Sequence, residues 1–160
     1  MASTLIILPV ENLQTEINRI ARKYSGIPGI YISLNKPHSS IEKLLEKERI
    51  NIKKLFFIDC VTAEQKRDDV LHVHPTDLKK LADAISTFIK DIPGKKFLLI
   101  DALSTLLIYN DENKVAQFVK EITEYSTEKD VEVIALSPKT KGEELLNKIF
   151  NFFDEVIKKK

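Results

Sequence analysis

FLLIDALSTLLIYN, residues 97–110, is the stretch that decides the fold. Phe97 to Ile100 is apolar without a break, the run stops on Asp101, and Ser104 and Thr105 follow within one turn. A continuous apolar run is the pattern of a strand buried on both faces of a parallel sheet. The carboxyl ends of such strands form the edge where ligands bind in open α/β sheets. Asp101 therefore has two readings. It could contact magnesium or a nucleotide, or it could accept hydrogen bonds from the N–H groups of its own turn near Ser104 and Thr105. The second is the favoured one.

Further apolar runs lie at Leu5 to Leu8, Ile30 to Leu34, Leu55 to Ile58 and Val131 to Leu136, and Glu155 to Ile157 offers a short sixth strand. Between them lie stripes at helical spacing. One holds Val10, Leu13, Ile17, Ile20, Ala21 and Tyr24; a second holds Leu78, Leu81, Ala82, Ile85, Phe88 and Ile89; a third holds Val115, Phe118, Val119 and Ile122. Ser39 with Glu42 and Thr140 with Glu143 fit capping boxes, and Thr76 after Pro75 fits an N-cap. Strand and helix alternate from end to end. The fold class is α/β, a doubly wound three-layer structure with a mainly parallel sheet of 5–6 strands, in a single domain over residues 1–160. The longest irregular stretch is Val61 to Thr76.

Composition narrows the function classes. Lys+Arg 25 against Asp+Glu 24 gives a net charge of +1, which does not suit a nucleic-acid binder. No apolar run approaches the roughly 18 residues of a membrane span, and no basic leader precedes a hydrophobic region. The lone Cys60 fits a reducing compartment and reads as a small buried apolar residue. A cytoplasmic location is expected. Lys158 to Lys160 reads as a solvated tail.

The order of elements, together with LLIDALSTLL at 98–107, resembles the core of the RecA/KaiC-like ATPases, a P-loop NTPase-like fold. The resemblance implies strand order 3-2-4-5-1-6, a phosphate loop after the first strand, a catalytic Glu after the second and a Walker B Asp at the position of Asp101. A phosphate loop needs glycines so that main-chain N–H groups can wrap the phosphates, and a Lys to neutralise them. With Thr15 aligned to the Ser/Thr of that motif, Leu8 and Leu13 replace the glycines and Gln14 replaces the Lys. After the second strand, Asn35 and Lys36 stand where a carboxylate base is required. The chain thus looks like a P-loop-less, archaeal-type member of the RecA/KaiC-like group. The resemblance implies a degenerate, non-hydrolysing domain that serves as a regulatory or protein-interaction module with an unidentified protein partner. No cofactor is expected. RecA-like relatives form rings, so a homo-oligomer is an open expectation.

Several residues keep a competing reading. A noncanonical pocket for Mg-ATP would draw on Thr15, Ser33, Asp59 and Asp101, and would need a polar, open cleft at the carboxyl edge. Asp59, after the third strand, is read mainly as structural. His72 and His74, at i and i+2, could ligate a metal with Asp68, Asp69 or His38, although loop hydrogen bonding is favoured. His38 is read as lying at the start of a helix. A receiver-like signalling domain would use Asp59, Ser104 or Thr105, and Lys139, but only Glu11 stands where that class needs an acidic pair. Phe152 and Phe153 are expected to pack inward with Leu145, Leu146, Ile149 and Phe150.

Overall fold

Seven parallel strands form one sheet in the order β4-β3-β2-β5-β6-β1-β7. They are β1 (Ser3–Leu8), β2 (Gly29–Ser33), β3 (Leu55–Asp59), β4 (Val70–His72), β5 (Lys96–Asp101), β6 (Val131–Pro138) and β7 (Glu155–Lys158). This computed structural model describes residues 2–62, 68–139 and 143–160. The sheet has seven strands, not the expected 5–6, and its order differs from 3-2-4-5-1-6. The difference is β4, an edge strand within the stretch that reads as irregular; three residues are too few for a periodic signal.

The helices are α1 (Leu13–Lys23), α2 (His38–Lys47), α3 (Leu78–Asp91), α4 (Glu112–Glu128) and α5 (Glu143–Ile149). Ile17 and Ile20 of α1 and Ile41 and Leu45 of α2 cover one face of the sheet, with Tyr31, Phe57 and Leu99 beneath them. Leu81, Ile85 and Ile89 of α3, Val115, Phe118, Val119 and Ile122 of α4, and Leu145, Leu146 and Ile149 of α5 cover the other. Each such side chain contributes on the order of 2 kcal/mol by leaving water. β1, β2 and β5 are buried along their whole length, which explains their unbroken apolar runs. Phe153 is buried and Phe152 packs against the same cluster, so this pair does face inward.

Local details correct several expectations. Val10 leaves the α1 stripe: it sits in a 3-10 turn, Val10–Asn12, and is 66% exposed. α2 begins at His38 after Pro37, so Ser39 lies inside the helix and caps nothing. α3 is capped by Asp77, not Thr76; its carboxylate accepts from the Lys80 N–H at 3.0 Å. Thr140 lies outside the described residues. The terminal lysines are not a free tail. Lys158 belongs to β7 with its ammonium 5.4 Å from the centre of the Phe150 ring, and Lys159 Nζ donates to Glu16 Oε1 at 2.8 Å. Burial works to raise the Glu16 pKa, but hydrogen bonds from Arg19 and Lys159 outweigh it and hold the group below its usual value.

Gly29, the first residue of β2, is there for space. It pairs with Phe97 on β5, and a Cβ at this position would lie 2.1 Å from the Phe97 ring, which stacks on Tyr24 at 5.2 Å. Gly29→Ala is expected to cost about 1–3 kcal/mol through overpacking. Urea unfolding checks it, and an unchanged midpoint would show that the ring gives way freely.

Candidate functional site

The carboxyl ends of three strands lie level, because Ser33 of β2 pairs with Asp59 of β3 on one side and with Asp101 of β5 on the other. Strand geometry sends all three side chains to the α1/α2 face, two residues beyond Phe57, Tyr31 and Leu99. The two carboxylates then meet different partners.

Asp101 is 2% exposed. Its Oδ2 accepts from the Tyr31 hydroxyl at 2.5 Å and its Oδ1 from the Asn35 amide at 3.2 Å. The Thr105 hydroxyl donates to the Asn35 Oδ1, so one amide ties the turn after β5 to the carboxylate that ends it. The main chain joins in, with the Leu34 N–H donating to the Asp101 carbonyl at 2.8 Å. This corrects the expected partners. The carboxylate is held by side chains from β2 and the residues after it, not by N–H groups of its own turn. Burial raises the Asp101 pKa, more than the bonds from Tyr31 and Asn35 and the charge of Lys36 lower it. Burial and the facing carboxylate push the Tyr31 phenol well above its usual value, so it stays a donor.

Asp59 is fully buried. Its Oδ1 accepts from the N–H groups of Val61 at 2.7 Å and Thr62 at 2.9 Å; its Oδ2 accepts from the His38 N–H at 3.0 Å and meets His38 Nδ1 at 2.7 Å. One carboxylate therefore fixes the turn after β3 and caps the start of α2. Burial would raise its pKa, but the bonds from Thr62, His38 and Val61 prevail and hold it at about 2. Burial and the Asp59 charge push the neighbouring Cys60 thiol up to about 12, which leaves it without nucleophilic character.

A cleft of about 620 Å³ opens beside Asp101. Its apolar walls are Val10, Leu13, Ile17, Ile108 and Pro138, and its polar groups come from Glu11, Gln14, Asn35, Lys36, Ser104 and Thr105. Val10 at 66% and Ile108 at 73% exposure stand at its rim. Of the four residues proposed for a noncanonical nucleotide pocket, only Asp101 lines it. Thr15 is exposed on α1 outside the cleft, Ser33 is buried with its hydroxyl 3.4 Å from the Ile58 carbonyl, and Asp59 is occupied by His38 and its own turn. Leu8 is buried in the core.

His72 and His74 take different partners, while the His72 ring meets that of His38 edge-on with centroids 5.7 Å apart. His72 Nδ1 lies 2.8 Å from the Thr62 carbonyl, while His74 Nδ1 lies 2.7 Å from the Thr76 hydroxyl. Among the described residues no group of three or more His, Cys, Asp or Glu could hold a metal ion. The receiver reading fails on topology. A receiver places its first strand between the second and third, in the order 2-1-3-4-5, whereas β1 here lies between β6 and β7.

Tyr31 and Asn35 are the residues that the sequence pattern left unmarked. Tyr31 hides in an apolar run, yet a buried tyrosine needs a hydrogen-bond partner; both strands beside β2 end in an acid, Asp59 and Asp101, and the hydroxyl takes Asp101.

The two carboxylates carry opposite pH signatures. The depressed pKa of Asp59 adds stability above the unfolded carboxylate range that disappears as pH falls from about 4 toward 2. Asp59→Asn is expected to lose about 2 kcal/mol at pH 7, with the gap to the unaltered protein closing in acid. The raised pKa of Asp101 favours the folded state at low pH and weakens it as pH rises. Asp101→Asn is expected to approach the unaltered protein in stability as pH rises. Urea unfolding of both variants at several pH values checks the opposed trends.

Comparison with known proteins agrees with this fold. A KaiC-like protein, PH0186 of Pyrococcus horikoshii OT3, superposes with TM-score 0.71 and 13% identity over 98% of this chain and 70% of its own. The Pyrococcus horikoshii protein PH0321, solved in complex with an unknown peptide, gives TM-score 0.74 and 13% identity, covering 99% and 78% of the two chains. PH0250 from the same archaeon gives 0.66 and 10%, covering 98% and 81%. No curated protein matches in sequence. Residues 40–160, most of the chain, match the family of unknown function DUF7090, and the chain belongs to that family.

Proposed function

We propose that this domain is a non-hydrolysing RecA/KaiC-like module that works by binding another polypeptide at the cleft beside Asp101. The observation that carries the reading is the state of Asp101. In a hydrolysing relative this carboxylate would serve a magnesium ion; here both of its oxygens are engaged by Tyr31 and Asn35, and burial disfavours its charge.

Two features support this. The segment after β1 has no glycine and closes into a 3-10 turn that leads directly into α1, so it offers no string of N–H groups for phosphates. No carboxylate follows β2, and the amide in its place, Asn35, is spent on Asp101 and Thr105. What the edge does offer is an open cleft with an apolar rim at Val10 and Ile108, the kind of surface that receives a partner's apolar side chains. That a neighbour of the same fold was solved with a peptide bound favours a polypeptide as occupant.

A second reading has one observation in its favour. The cleft is roomy and holds Asp101, Lys36, Ser104 and Thr105, so a nucleotide could be held without a phosphate loop. Calorimetric titration with Mg-ATP, Mg-ADP and GTP separates the two. No heat of binding is expected at micromolar concentrations; saturable micromolar binding would overturn the proposal in favour of the nucleotide.

A further inference from the structure

β7 ends the sheet on the side away from β4, and among the described residues no strand pairs with its outer edge. The Lys159 N–H donates to the Ile7 carbonyl at 2.8 Å, which fixes the sense of the strand. Main-chain groups alternate in direction along a strand, so those of Glu155, Ile157 and Lys159 face β1. Those of Val156 and Lys158 face outward, where an unpaired row of donors and acceptors is a template for another strand.

The chemistry of this edge is complementary to its own reverse. Asp154 and Glu155 open it, Val156 and Ile157 form its middle, and Lys158, Lys159 and Lys160 close it. We propose that β7 pairs antiparallel with β7 of a second copy of this chain, about a two-fold axis at Ile157, joining two sheets edge to edge.

The register follows from the geometry. Only outward-facing residues can exchange hydrogen bonds, so Val156 must pair with an outward residue. With the axis at Ile157, Val156 exchanges bonds with the partner's Lys158. Glu155 then faces the partner's Lys159, while Asp154, just before the strand, keeps its carboxylate on the Ser3 N–H and hydroxyl. Ile157 meets the partner's Ile157 as a pair without hydrogen bonds. Opposite charges directly across a pair stabilise it, and like charges destabilise it. Moving the axis to Lys158 would set that lysine against itself, and moving it to Val156 would set Glu155 against an isoleucine. The Ile157 axis sets Glu155 against Lys159 and Ile157 against itself, and leaves Val156 beside the alkyl stem of Lys158; the only acid at a base about the Val156 axis is Asp154, which is held by Ser3.

Packing is consistent with this register. Val156 and Ile157 lie against opposite cores and are both only partly buried, so a neighbouring strand would shield apolar surface on each face. The Lys159 side chain, bonded to Glu16, keeps 37% of its surface accessible and can take a second carboxylate. Four residues of pairing is a small interface, so association should depend on concentration.

Sedimentation equilibrium over a concentration series tests the proposal, together with three variants. The unaltered protein should rise from one chain mass toward two. Val156→Pro removes an outward N–H and no bond to β1, a change that edge strands tolerate; it should stay at one chain mass with an unchanged urea midpoint. Under mild oxidation Ile157→Cys should cross-link readily, since a pair without hydrogen bonds sets Cα atoms about 4.5 Å apart, within disulfide range. Glu155→Cys, which faces a lysine, should cross-link several-fold less, and the buried Cys60 does not compete. A concentration-independent monomer, or a dimer that survives Val156→Pro, would overturn the pairing. Equal cross-linking by the two cysteine variants would overturn the register.

Discussion

The hydrogen bond from the Tyr31 hydroxyl to Asp101, 2.5 Å long, is the constraint on which the character of this molecule turns. It spans the two central strands β2 and β5 at their carboxyl ends. It also occupies one acceptor site of Asp101 Oδ2. Asn35 closes the remaining side and carries the link on to Thr105, so the turn after β5 is braced by the segment after β2. Burying a carboxylate costs free energy unless it is well hydrogen-bonded. Here those bonds come from within the protein, which makes the retention of Asp101 understandable without a ligand.

Asp59 shows the same principle with the opposite electrostatic result. It lies level with Asp101 across Ser33, but three N–H groups and an imidazole converge on it. Its charge is therefore favoured, and that of Asp101 is not. Between them the two acids organise the segments that follow β2, β3 and β5. Acidic residues at the carboxyl edge of a parallel sheet can thus be architectural, and position alone does not assign them to catalysis.

Much of the fold was legible because burial on both faces leaves a plain signature. The runs LIIL and FLLI, and the stripes of α3 and α4, mark elements whose side chains have no polar choice. β4 was not legible, since three residues give no period and Val70–His72 is ordered by pairing with β3. Ser39 and Thr76 read as helix caps and are not. Capping at α2 comes from Asp59, distant in sequence, and at α3 the competing Asp77 is adjacent. At the site, the residue types show directly that residues 1–25 hold no glycine and that Asn35 and Lys36 follow β2. They do not show the roles of Tyr31 and Asn35, because each depends on which strands become neighbours. Thr15 is exposed on α1 and the Ser33 hydroxyl lies 3.4 Å from the Ile58 carbonyl, placements that residue type alone does not reveal. Among the described residues no helix is long and apolar enough to cross a membrane.

On the proposed function, Asp101 answers to Tyr31 and Asn35 and to no metal-bound nucleotide. Carbon-13 NMR of the Asp101 carboxylate during titration with Mg-ATP tests it most directly. The account predicts a resonance that does not move at millimolar Mg-ATP and whose protonation midpoint lies above the usual carboxylate range. A saturable shift on adding Mg-ATP, absent with magnesium alone and lost in Asn35→Ala, would contradict it.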